Sequence, residues 1–311
     1  LGQMAPIPMT VSGASQFEST QYMFSLQLGA AYKISENLSA YAGVRTNYIS
    51  NNYNGTIKAV ADLSALQMGK MDLMTVNLDM DQSGIAFAPI VGLDYKVGNF
   101  NFAAKYEFRA VTNIENSNSN PKIADIKANE QLDALMPGTS DKIMTMGGGA
   151  LGQYLGGFAD GNTLRSDAPA LLSLAGSWQA LPRLQVMAGW NYYFDKDAKI
   201  ESLMGGDNMR KLSRNTFEYL FGAEYQLTDK FLVSAGIQFT NFGINDTYTS
   251  DLAFINDSFM TGVGGKYSLT EKVDINFGYC YANYAPDHNA LTQTRYERKT
   301  HNATIGVDFR F

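Results

Sequence analysis

A chain of 311 residues could hold two ordinary soluble domains, yet its composition of 17% charged residues, 18 Phe, 18 Tyr and 29 Gly contains no stretch that reads as a linker between separate cores. Mean hydropathy just below zero, without any run of about 18 apolar residues, excludes a helical membrane protein. The net charge of −6, with no basic cluster, excludes nucleic acid as a partner, and the single cysteine, Cys280, excludes an intrachain disulfide or a paired-cysteine metal motif.

The chain opens Leu1-Gly2-Gln3-Met4, with neither an initiator Met nor a charged-then-apolar signal, so its front is expected to have been removed by processing or truncation. From there the dominant pattern is alternation. Tyr22, Phe24, Leu26, Leu28, Ala30 and Tyr32 face one way, and Ser25, Gln27, Gly29 and Lys33 the other. After a short turn at Ser35-Glu36-Asn37, Leu38, Ala40, Ala42, Val44 and Tyr48 oppose Ser39, Gly43, Arg45 and Asn47. Next, Ile85, Phe87, Val91, Leu93 and Tyr95 turn at Gly98-Asn99 into Phe100, Phe102, Ala104, Tyr106 and Phe108, with Asn101, Lys105, Glu107 and Arg109 on the other face.

The same rule resumes at Leu172, Leu174 and Trp178, turning at Leu181-Pro182-Arg183 into Leu184, Val186, Ala188, Trp190, Tyr192 and Phe194. It continues through Phe217–Leu227, turned at Thr228-Asp229-Lys230 into Phe231–Phe239. Phe259, Val263 and Tyr267 then turn at Thr270-Glu271 into Val273–Tyr281. The last strand is Ala303–Phe311, an alternating segment ending on an aromatic carboxyl terminus.

Successive side chains of a strand point to opposite faces of its sheet, so lipid on one side and a polar interior on the other require this period of two. The segments run to about ten residues, as a tilted membrane strand needs, and their aromatics gather toward the ends. Gly29, Gly43, Gly92, Gly189, Gly222, Gly236, Gly278 and Gly306 all fall on the inward parity, where a missing side chain keeps the interior open. The expected fold is therefore all-β: a transmembrane antiparallel β-barrel of the outer membrane, one domain over residues 1–311, with about 11 strands. An antiparallel ring needs an even count, so either an odd number of strands is expected to be missing from the front, the account favoured by the absent signal segment, or one strand escapes the alternation.

Tight turns alternate with long connections, expected at about 50–83, 111–169, 196–214, 241–256 and 285–299; short turns belong on the periplasmic side. Two of the long ones are expected to be apolar extracellular loops. Loop 50–83 carries Leu63, Leu66, Met68, Met71, Leu73 and Met74 at partly helical spacing, and the second, 111–169, carries Ile123, Leu132, Met136, Met144 and Met146. Pliable, polarizable Met suits irregular apolar ligands. Leu63, Leu66, Met68, Met71 and Met74 are accordingly candidate ligand-binding residues, beside the alternative that the two loops pack on each other and cap the barrel.

The strand order, the Ala-Leu-Pro-Arg turn at 180–183, the stretch Arg214-Asn215-Thr216-Phe217-Glu218-Tyr219-Leu220-Phe221-Gly222-Ala223-Glu224-Tyr225, the segment Asn37-Leu38-Ser39-Ala40-Tyr41-Ala42-Gly43 and the final hairpin resemble the FadL-type long-chain fatty acid transporters of Gram-negative outer membranes. The resemblance implies a barrel of 14 strands plugged by an N-terminal hatch, which this chain would lack together with the first strands. Apolar substrates would be caught between extracellular loops, passed to a lumenal site and released sideways through a kinked wall. It also implies a carboxylate-binding role for Arg214, with Asn215 standing where the family has an acid. Arg45, Lys105, Arg109 and Lys266 are also inward by parity, and are expected to pair with acids such as Glu107, Asp94, Glu218 or Glu224.

No Gly-x-Ser-x-Gly elbow is present, His288 and His301 lack a neighbouring Ser/acid pattern, and Asp246, Asp251, Asp257 and Asp287 have no calcium-loop register. No catalytic residue, metal or cofactor is expected. The expected function is passive transport of hydrophobic molecules such as long-chain fatty acids across the outer membrane. The expected surroundings are the lipid bilayer and lipopolysaccharide. A rival is a transport-incompetent barrel serving as scaffold in an envelope secretion or assembly complex, with other envelope proteins as partners. A general porin fits less well, because the long loops are apolar rather than acidic.

Overall fold

A computed structural model of the chain describes residues 10–62, 64, 69–120, 127–128, 159–201, 212–245, 248–249, 255–290 and 293–310. Its strands are β1 (Thr10–Lys33), β2 (Leu38–Asp62), β3 (Lys70–Val97), β4 (Phe100–Glu107), β5 (Asn113–Asn120), β6 (Lys127–Ala128), β7 (Thr163–Arg165), β8 (Leu171–Leu181), β9 (Leu184–Tyr193), β10 (Thr216–Thr228), β11 (Phe231–Asn241), β12 (Ser258–Ser268), β13 (Val273–Tyr284), β14 (Asp287–His288), β15 (Arg295–Tyr296) and β16 (Lys299–Phe309). The long strands form one antiparallel wall in the order β1-β2-β3-β4-β8-β9-β10-β11-β12-β13-β16. These are the strands that the alternation predicts.

Local chemistry fixes the short turns. Gly98 adopts φ +56° at the first position of the two-residue turn joining Val97 to Phe100, a geometry that other residues resist. Ser35 Oγ accepts the amides of Asn37 (3.3 Å) and Leu38 (3.2 Å), and Thr228 Oγ1 those of Lys230 (3.3 Å) and Phe231 (3.1 Å). Each hydroxyl thereby replaces a ladder bond at the point where the strand reverses.

The outward parity holds where it was most exposed to failure. Phe221 is 49% exposed and Val307 52% exposed on the outer face, in the middle of strands whose polar neighbours point inside. Aromatic rings collect in two belts. Phe100 stacks on Phe102 and Trp178 near the short turns, and Tyr106, Phe108, Phe194, Tyr192 and Trp190 cluster at the opposite ends. On the inner face Tyr41 lies across Gly29 and Gly43 with Gln27 Nε2 donating to its hydroxyl at 2.9 Å, so an aromatic ring covers backbone that glycine leaves bare. The three atoms nearest a Cβ on Gly29 would all belong to that ring. Gly29→Ala is expected to destabilise the barrel by about 1–3 kcal/mol, and adding Tyr41→Ala to recover part of the loss. Urea unfolding of the two variants in lipid vesicles measures this.

The long connections differ from the sequence reading. Loop 50–83 is not a loop: β2 and β3 continue as a paired hairpin out to Asp62 opposite Lys70, and β1 follows β2 as far as Thr10 opposite Asp62. The helical spacing of Met and Leu there loses to ladder pairing between strands already in register. Within 111–169, β5 pairs with β3 and β7, and β6 with β3, while residues 121–126 and 129–158, with Ile123, Leu132, Met136, Met144 and Met146, lie outside the described residues.

Between β4 and β5 the chain leaves the wall. Ala110 pairs with Ala168 instead of β3, and Ala86 and Ala88 on the inner face of β3 are buried against them. Gly84 is required here, because a Cβ would stand 2.6 Å from the carbonyl oxygen of Asn113. The detour is pinned by Asp167, whose side chain is fully buried. Its carboxylate accepts Arg165 Nε (3.0 Å) and Nη2 (2.8 Å) and the amides of Thr112 (3.1 Å) and Lys199 (3.3 Å), with Arg109 Nε 3.8 Å away. Burial alone would raise its pKa. The bonds from Arg165 and the two amides outweigh it and hold the carboxyl below the usual range.

Candidate ligand site on the inner wall

Two halves of the inner wall differ in character. Across β1 to β4, apart from the alanines beside Ala110, many inward side chains are polar and tied to one another. Ser25 donates to Asn47 (2.7 Å), Arg45 Nη2 to Gln27 (2.9 Å), and Gln82 Nε2 to Asn116 (2.8 Å). Arg45 pairs with Glu107 at 2.9 Å and Lys105 reaches the same carboxylate at 3.8 Å. The expected pairing therefore holds for these two cations, whereas Arg109 is joined to Asp167, which the sequence reading did not single out.

From β8 to β16 the wall is smooth. Gly222 stands opposite Gly236, Gly236 opposite Gly262, and Gly264 opposite Gly278. Side chains missing from neighbouring strands at one level leave a hollow of about 650 Å³, floored by backbone and edged by Met187, Leu220, Met260 and Cys280. Gln238 lies at its edge as well and donates to Glu218 Oε1 at 2.9 Å. Glu218 also accepts Thr240 Oγ1 (3.1 Å), Asn191 Nδ2 (2.9 Å) and Tyr193 Oη (3.1 Å). Four neutral donors thus satisfy this carboxylate without a cation. Glu224 and Ser234 close the hollow toward the short turns, and Lys266, two positions beyond Gly264, has no ion pair among the described residues. The arrangement offers an apolar guest a surface rich in dispersion contacts and low in competing hydrogen bonds.

Of the sequence candidates, Leu63, Leu66 and Met68 lie outside the described residues. Met71 and Met74 belong to β3, opposite Ala61 and Ala59, in the hairpin rather than in a loop. Arg214 precedes β10 in an exposed bend, and its guanidinium lies over the ring of Phe217 at 5.3 Å. That ring faces outward, so the inward parity expected of Arg214 stops where the strand stops, and Arg214 does not border the hollow. Met187, Leu220, Met260 and Cys280 were missed. Their signal was present: each is an apolar residue on the inward parity of a strand whose inward neighbours are polar or Gly.

The sequence matches, over residues 11–310, the family described as Outer membrane protein transport protein (OMPP1/FadL/TodX). The chain belongs to that family. It shares its fold with a Pseudomonas aeruginosa FadL homologue (16% identity, TM-score 0.61, 93% of this chain and 66% of that one). The P. putida toluene transporter TodX (13%, 0.55, 97% and 78%) and the Ralstonia pickettii toluene transporter TbuX (14%, 0.54, 94% and 68%) share it as well. The chain thus spans just under two thirds of the first of these proteins. No curated protein sequence matches it. Membership makes the wall a transmembrane antiparallel β-barrel of the Gram-negative outer membrane, in a family of transport proteins rather than enzymes. It lends no support to the scaffold reading.

Proposed function

We propose that this chain forms the wall of a passive outer-membrane channel for hydrophobic molecules, most simply long-chain fatty acids. The observation that carries the reading is the apolar hollow of about 650 Å³ on a glycine-lined inner wall. A fatty acid brings a carboxylate whose desolvation must be offset. Lys266, on the inward parity two residues beyond the hollow's Gly264 and without an ion pair among the described residues, is the cation for it inside, and Arg214 at the extracellular rim would meet the carboxylate earlier. Transfer then follows the ligand's own gradient, with no energy source in the chain.

Cys280 provides the test, since it is the chain's single thiol and lines the hollow. Palmitate is expected to slow its alkylation by a small maleimide. Lys266→Gln is expected to weaken that protection about tenfold while leaving protection by hexadecanol unchanged, one charge-assisted bond being lost. Protection by toluene and not by palmitate would shift the substrate class to small hydrocarbons. Uptake of labelled palmitate unchanged by deleting the protein would overturn the reading. Gly262→Phe, whose side chain would enter the hollow beside Cys280, is expected to reduce uptake several-fold in a barrel that still assembles.

A further inference from the structure

The outer face of β16 changes character near its extracellular end. Ascending from the short turns, its outward residues are Phe309, Val307, Ile305 and Ala303, then His301 and Lys299, all exposed. From Phe309 up to His301 the strand climbs about 27 Å along its own axis, or about 20 Å along the membrane normal at the usual tilt. That nearly exhausts an apolar band about 25 Å tall. His301 and Lys299 therefore stand at the outer headgroup level, on the lipid side of the wall.

The surroundings hold the histidine in place. Tyr279 Oη lies 2.7 Å from His301 Nδ1, and the Tyr281 ring packs against the imidazole at 4.9 Å. Nε2 is left without a partner among the described residues. Lys299 stands opposite Asn283 and likewise has no ion pair among them. Among the described residues, acids in the neighbouring connections are engaged elsewhere: Glu297 with Arg295 at 2.6 Å, Asp287 with the Thr249 hydroxyl, and Asp257 with Asn241 Nδ2 at 2.6 Å and the amide of Phe242 at 2.7 Å. At the same level β11 ends in Asn241, a neutral residue.

We propose that His301 Nε2 and the Lys299 ammonium, framed by Tyr279 and Tyr281, form a binding site for a phosphate group of an outer-leaflet lipopolysaccharide molecule. Two donors converge on one anion while the tyrosine rings lie against the first acyl carbons. A phosphate at this depth is only partly hydrated, so each charge-assisted bond counts for more than it would in water. The site lies on the face opposite the transport hollow and serves to anchor and orient the barrel among its lipids.

The full chain, purified from outer membranes in mild detergent, tests this by its retained lipopolysaccharide, measured as lipid A per barrel by mass spectrometry. The double variant Lys299→Ala/His301→Gln is expected to retain about tenfold less than the parent, and Lys299→Arg to retain the parental amount. After delipidation, bisphosphorylated lipid A should rebind to the parent about tenfold more tightly than dephosphorylated lipid A, and the double variant should lose that preference. Equal retention by parent and double variant, or equal rebinding of the two lipid A forms, overturns the proposal. Displacement of lipid A by millimolar inorganic phosphate would identify a free-anion site and overturn the lipid assignment. Lys299→Ala alone, at an exposed position, repeats the measurement should the double variant assemble poorly.

Discussion

Ala235→Lys is expected to cost the barrel about 2–4 kcal/mol, while Ser234→Lys, one residue away on the same strand, costs less than about 1 kcal/mol. Ala235 points outward between Ala223 and Val263 in the middle of the apolar band, where an ammonium has neither water nor a partner. Ser234 points inward, lines the hollow and stands opposite Glu224, which would welcome a cation. Propensity and side-chain size are the same in the two variants, so the difference isolates which face meets lipid. Urea unfolding in vesicles, followed by the heat-dependent shift in gel mobility, reads it. Equal costs would mean that the two faces share one environment, and the transmembrane assignment of β11 would fall.

Asp167→Ala is expected to produce the largest loss at the extracellular end, about 3 kcal/mol. Removing the carboxylate strands Arg165 and Arg109 beside each other and leaves the amides of Thr112 and Lys199 without their acceptor. The figure sits at the low end for a broken buried pair because both guanidiniums keep partial access to water. Asp167→Asn should retain some of the bonds and fall between. A pH dependence follows with definite sign. The carboxyl titrates lower in the folded protein than in the unfolded chain, so its contribution is complete above the unfolded pKa and disappears as pH falls through the folded one. Proteolysis of the connection between β4 and β8 should accelerate on acidification in the parent and lose that dependence in Asp167→Ala.

Much of this architecture was readable from residues alone, for a physical reason. Where lipid meets one face, every second residue must be apolar, and Phe217–Leu227 or Val273–Tyr281 can hardly be read otherwise. On the β2 side of the hairpin beyond Ser50 that signal is missing, whereas on the β3 side Val76, Leu78 and Met80 alternate with Asn77, Asp79 and Asp81, a signal masked by the helical spacing of Met and Leu. Once the strand leaves the bilayer its outer face no longer has to be apolar, so Asn51, Asn52, Tyr53 and Asn54 show no apolar alternation, although one face of the hairpin stays buried at Asn51, Leu78, Met80 and Gln82. The knot at Asp167 was illegible for another reason: its donors come from Thr112, Arg165 and Lys199, brought together by the excursion from β3 and not by sequence spacing. By parity Glu218 is an inward acid for a cation to neutralise, but side chains from β9 and β11 satisfy it with neutral groups. Arg214 failed as an inward residue because parity carries no information past the end of a strand.

The hairpin also sets where the first encounter with a solute takes place. β2 has 25 residues, whereas about 9–11 suffice to cross the hydrocarbon. The surplus, at about 3.3 Å per residue, amounts to roughly 45 Å of ribbon standing clear of the acyl chains. Sugars attached to the lipids form a hydrophilic hedge over this surface that excludes greasy molecules. At the usual strand tilt such a ribbon rises about 35 Å, through the hedge, so a hydrophobic solute can meet protein before it meets carbohydrate.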